Sequence, residues 1–271
     1  MIDFNKVYII IIAVFSVAAV LILRLEYKRM AQKQYQGVKR LSLFKELLSS
    51  VQYHRGRTTA YLNQDEDAHP EIILLQPRIV HLINDVSKLA PELEDNERWQ
   101  NITQHWARLS VNFYRNEKNN NLAQHNQLIQ SILYLMDETV AGSGLLRLKS
   151  TNVKALRFLW QELLAAAEYV GQARAIGTGV LSAHYCNDKE KQQFVFLQQK
   201  IQEATRLAWH SLPASDSQRK QLELLDDCIT EQFLNDTLTM SNRDYFDICT
   251  NVMDNLYRQY DETIKQFRVD S

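Results

Sequence analysis

WQNITQHWARLSVNF, residues Trp99 to Phe113, carries Trp99, Ile102, Trp106, Leu109 and Phe113 at steps of three and four. That spacing stacks five large apolar side chains on one stripe of an α-helix and predicts a bundle-type seam. Working outward, Ile72 to Leu89 reads as a preceding helix, with Pro77 kinking it or marking its start. Leu41 to Leu62 reads as the first helix of the main domain. Downstream, Lys118-Asn119-Asn120-Asn121 is expected to turn, Leu122 to Val140 to form a fourth helix, and Gly142-Ser143-Gly144 to break the chain.

The second half repeats the plan. Ser150-Thr151-Asn152 can cap a long helix running to about Tyr185, and Asn187-Asp188 starts the next, with Phe194, Leu197, Ile201, Ala204 and Ala208 as its seam. Ser215-Asp216-Ser217 introduces a seventh helix carrying Leu222, Leu225, Ile229 and Phe233, and Ser241-Asn242-Arg243-Asp244 opens a last one toward Phe267. No segment sustains period-two alternation. The expected fold class is all-α: two antiparallel four-helix bundles, about 41–141 and 150–268, preceded by a single N-terminal transmembrane helix.

Composition agrees. Among 271 residues there are only 7 Gly and 4 Pro, too few for a turn-rich β architecture. Hydrophobic content of 45% with 23% charged residues is that of a globular chain. Lys+Arg 31 against Asp+Glu 32 carries no basic signature, so no nucleic-acid partner is expected. Cys186, Cys228 and Cys249 are odd in number and far apart, which fits buried free thiols.

The N-terminus stands apart. After a short tail, residues 1–6, the run VYIIIIAVFSVAAVLIL (Val7 to Leu23) is charge-free and at the lower edge of a spanning length. Apolar residues continue through any cleavage region near Ser16 to Ala19, so an uncleaved anchor over 7–23 is expected rather than a signal peptide. Residues 24–40 form a basic helical stalk, with Arg24, Lys28, Arg29, Lys33, Lys39 and Arg40 against Glu26 alone. The positive-inside rule then places the main domain, 41–271, on the cytoplasmic side of a single-pass membrane protein, with the periplasmic side as the alternative.

Two related elements carry the chemistry. Arg55-Gly56-Arg57-Thr58-Thr59-Ala60-Tyr61-Leu62 and Arg174-Ala175-Ile176-Gly177-Thr178-Gly179-Val180-Leu181 share the Arg, a Thr, a small residue after it and the final Leu. Small residues let helices approach closely, and a guanidinium buried there must find an anion. Its planar fork suits a carboxylate or a small planar oxyanion. Arg55 and Arg174 therefore pair with buried carboxylates such as Glu46 or Glu168, or they receive a ligand. Nothing else competes. The seven His residues form no HExxH or ExxH pattern, so no metal is expected. No nucleophile elbow, P-loop or dinucleotide fingerprint occurs, and no enzyme activity or cofactor is expected.

On these residues the chain resembles the nitrate- and nitrite-sensing (NIT) domain family. The first match is Leu47-Leu48-Ser49-Ser50-Val51-Gln52-Tyr53-His54-Arg55-Gly56, and the second is Glu168-Tyr169-Val170-Gly171-Gln172-Ala173-Arg174-Ala175-Ile176-Gly177. It departs at His54, where the family often carries an acidic residue. The resemblance covers roughly Leu41 to Phe267. It implies an all-helical input domain of two four-helix bundles with an arginine-lined anion site, of the kind found in chemoreceptors, kinases and antitermination regulators. Carried onto this sequence, Arg55 and Arg174 are the expected nitrate or nitrite ligands, with Arg57 a third. The implied protein is a sensor anchored in the bacterial inner (cytoplasmic) membrane. It would signal through a separate protein partner, with a homodimer as a possible assembly. The alternative is a structural or adaptor bundle without a ligand.

Overall fold

The computed structural model describes residues 4–147 and 159–266, which are helical throughout their regular structure, with no strand among them. Eight α-helices follow in order among the described residues: α1 Phe4–Leu62, α2 Ala68–Leu89, α3 Glu97–Asn112, α4 Lys118–Ser143, α5 Leu164–Ala183, α6 Asp188–Ser211, α7 Asp216–Cys228 and α8 Asn242–Gln266. Single π-helical turns lead into α5 (Leu159–Leu163) and out of α7 (Ile229–Leu234). Residues 150–152, expected to cap the long fifth helix, lie outside the described residues.

The seam that predicted the fold is the core of the first half. Trp99, Ile102, Trp106, Leu109 and Phe113 are all buried, and the Asn96 side chain caps α3 by accepting from the Trp99 amide at 2.9 Å. In the second half Asn187 and Ser215 open α6 and α7 with reciprocal capping boxes. Helix contacts follow the order of the chain. In the first half α1 packs on α2 and α4, and α3 on α4; in the second, α5 packs on α6 and α8, and α7 on α8. The halves meet along α1 and α5, and α1 also touches α8.

Two local expectations change. Pro77 does not mark the start of α2; it lies inside the helix on its exposed side, where losing one N–H costs no buried partner. Lys118 to Asn121 is not a turn but the first turn of α4. There the buried Asn121 donates through its side chain to Thr58 Oγ1 at 3.0 Å, so tertiary packing overrides its weak helix propensity. The helical stalk expected over 24–40 runs without a break into the first helix of the main domain, because α1 is continuous from Phe4 to Leu62. Gly37 brings it close to α4: a Cβ there would sit 2.5 Å from Ser143 Cβ, so only glycine fits. Gly144, at φ +71°, ends α4, and its carbonyl accepts from Gln34 Nε2 of α1 at 3.1 Å.

Beyond the packed region α1 is bare. Phe15 is 71% and Leu23 69% exposed. Among the described residues no helix is long and apolar enough to cross a membrane, so the transmembrane helix expected over 7–23 is not found there. The side chains of Val7, Ile9 and Ile10, part of that run, lie outside the described ones. The charge-free run itself is bounded by Arg24, Glu26 and Lys28, so it cannot be lengthened on that side toward the ~20 apolar residues of a usual span.

Candidate functional site

Between Ser50 and Thr59 helix α1 is buried on nearly every side, yet this stretch is mostly polar: Ser50, Gln52, His54, Arg55, Thr58 and Thr59 are all enclosed. Polar groups in such a place need partners, and following them defines the site. Arg55, fully buried, donates through Nη1 to Glu168 Oε1 at 2.5 Å and to Asn126 Oδ1 at 2.7 Å. Glu168 is further held by Gln172 Nε2 at 2.8 Å on Oε1 and Gln52 Nε2 at 2.8 Å on Oε2. Gln52 in turn accepts from the Tyr257 hydroxyl of α8. Gly171 makes room for the pair, since a Cβ there would lie 2.5 Å from Arg55 Nη2. For Arg55, then, the carboxylate already present is Glu168.

Arg174 is placed differently. It is 3% exposed, and its Nη1 donates to Thr250 Oγ1 at 2.9 Å. Its guanidinium lies over the Phe246 ring, 4.5 Å from the centroid. No carboxylate pairs with it among the described residues, and its Nε has no hydrogen-bond partner. Burial pulls this guanidinium below its ordinary pKa, and the Arg55 cation adds to that. The two arginine elements do converge, because a Cβ at Gly56, the residue after Arg55, would be 3.3 Å from Arg174 Nη2.

Arg57 approaches the same aromatic face, 5.9 Å from the Phe246 centroid, but is paired with Glu71 of α2 at 2.8 Å. Tyr53 donates to the other Glu71 oxygen at 2.5 Å. Sequence reasoning named the three arginines and offered Glu46 or Glu168 as a carboxylate partner, of which Glu168 is the one paired with Arg55. Asn126, Thr250 and Phe246 were missed, since they come from helices whose local sequence has no marker for the role.

A second polar cluster adjoins the first. His54 Nδ1 and His125 Nε2 are 2.8 Å apart, and His125 Nδ1 is 2.8 Å from the Asn121 carbonyl. The carbonyl can only accept, so His125 carries its proton on Nδ1, His54 donates to His125, and His54 Nε2 keeps a bare lone pair. Burial drives the His54 pKa down to about 3, and burial followed by His54, Arg55 and His105 drives His125 well below its usual value. Both rings are neutral when folded. The unfolded chain takes up protons below pH ~6.5 that the folded chain refuses, so each ring removes stability at about 1.4 kcal/mol per pH unit on acidification. Urea unfolding at pH 7.5 and pH 5 is expected to show a clear loss at the lower pH, and His54→Gln a smaller one. A pH-independent midpoint would contradict the buried neutral pair.

An all-helical domain with arginine charge enclosed at the junction of its halves belongs to a recognisable class. Residues 46–268 match the family described as nitrate and nitrite sensing, and the chain belongs to that family. No curated relative and no solved structure matches it. Membership of a sensing family indicates a role in signal input.

Proposed function

We propose that the protein is a nitrate/nitrite receptor in which Arg174 is the principal ligand-binding cation, Arg55 holds the frame through Glu168, and Arg57 is a third, exchangeable contributor. The observation that carries this reading is the enclosed Arg174, with the Thr250 hydroxyl and the Phe246 face but no carboxylate. A planar anion of unit charge supplies what that environment lacks, through charge-assisted hydrogen bonds. The adaptor alternative draws support from Arg55 and Glu168, whose ion pair is made within the protein through Arg55 Nη1, while Arg55 Nε and Nη2 have no hydrogen-bond partner. It has no equivalent account of Arg174.

In this reading the helices form two four-helix bundles, 41–141 and 150–268, that meet along α1 and α5. An anion bound at Gly56, Arg174 and α8 touches both. It shifts their relative placement by its differential affinity for two arrangements, and the change is passed to a separate protein partner. The exposed apolar flank of α1, continued in sequence to Val7, supports a membrane anchor, and the basic stalk favours a cytoplasmic domain. Thermal melts of the full chain in detergent micelles, titrated with nitrate, nitrite and chloride, test the proposal. A concentration-dependent rise with nitrate or nitrite and none with chloride is expected. No rise with any of the three would favour the adaptor.

A further inference from the structure

On the side of Asn126 away from Arg55 runs a groove of about 480 Å³, walled by the end of α1, the start of α4, the later turns of α5 and the start of α6. We propose that it is a second anion site, built for an organic anion bearing a carboxylate or phosphate group and much larger than nitrate. Its size lies in the range of small-molecule pockets.

Three independent features converge there. The first is Thr59. A threonine inside a helix ordinarily spends its hydroxyl on the carbonyl one turn back. Thr58 does so toward His54, and Thr178 does so toward Arg174 at 2.9 Å. Thr178 is the counterpart of Thr59 in the second arginine element. Thr59 itself is only 7% exposed, lines the groove and has no hydrogen-bond partner at its Oγ1.

The second is charge. Lys118 and Lys189 line the groove from different helices, and neither is in an ion pair among the described residues. Helix α4 begins there with an extended Glu117 that makes no side-chain cap. Its first amides therefore point outward at the positive end of the helix. The carboxylate in the wall, Glu190, is already engaged, accepting from the Asn187 amide at 2.9 Å. Asn126 gives its carbonyl oxygen to Arg55, leaving its N–H groups for an occupant.

The third is Gly179, which keeps the groove open. A Cβ there would meet Asn63 Nδ2 at 3.7 Å, an ordinary contact, so packing does not demand glycine. Glycine within a helix costs about 0.5–1 kcal/mol relative to alanine.

The test is calorimetric titration of the full chain in detergent micelles with citrate, succinate and inorganic phosphate, alongside the nitrate melt. Saturable binding of at least one probe is expected. The double variant Lys118→Gln/Lys189→Gln should weaken it about tenfold or more, and Gly179→Leu, which fills the groove with a good helix former, should abolish it. The nitrate-dependent shift should survive in both variants. Should Gly179→Leu fail to fold, the lysine variant still reads the site. Absence of saturable binding by all three probes, or binding unchanged in the lysine variant, overturns the proposal. Either result leaves the reading of Arg174 to its own titration.

Discussion

Glu168→Ala is expected to destabilise the protein by about 3–5 kcal/mol, the usual cost of leaving one member of a buried ion pair alone. Arg55 is fully enclosed, and its remaining partner would be the Asn126 carbonyl. Gln52 and Gln172 would lose their common acceptor at the same time. Glu168→Gln keeps an acceptor but removes the charge and should fall between the two. The double variant Arg55→Met/Glu168→Leu should recover much of the loss, because it removes both charges and retains volume. Urea unfolding of the four proteins measures this directly. If Glu168→Ala lost less than ~1 kcal/mol, the pair would not be as enclosed as its geometry indicates.

Arg174→Met should behave in the opposite way. The substitution retains a long apolar stem, forfeits one hydrogen bond to Thr250 and the stacking on Phe246, and relieves a buried charge without a carboxylate. These terms are each about 1–2 kcal/mol and oppose one another, so the ligand-free variant should lie within ~1 kcal/mol of the parent. With nitrate at 100 times Kd the parent gains ~2.7 kcal/mol, and the variant should gain none. The informative quantity is the contrast between the two arginines. One is expected to be needed for folding, the other for response. A variant that still responded fully to nitrate would remove Arg174 from the site.

Much of this was legible in the sequence because it depends on local spacing. Trp99 to Phe113 announced a buried seam through its three-and-four steps, and Asn187, Ser215 and Ser241 announced helix starts through short side chains at the cap. Arg55 and Arg174 stood out as charges among small residues. Which of them already had a carboxylate did not, since Glu168 lies on the same helix as Arg174 yet faces Arg55. The Lys118 start of α4 was hidden for a related reason: Asn121 is a poor helix former held by Thr58, 63 positions earlier. The His54–His125 contact likewise joins α1 to α4 and leaves no periodic trace.

Helix α1 is 59 residues long and unbroken, about 90 Å from end to end. Arg55 lies near one end and the bare apolar flank forms the other, with no loop between them. A continuous helix is torsionally stiff, so its two ends share one phase. Turning the Arg55 face by a few degrees turns Phe15 and Leu23 by about as much, and an axial slip of an ångström arrives undiminished. In the receptor proposed above, register along the stalk becomes part of the mechanism: one inserted residue would rotate one end against the other by ~100°, and seven would nearly restore the alignment. In that reading the molecule is geared at its core and driven, or read, along a shaft.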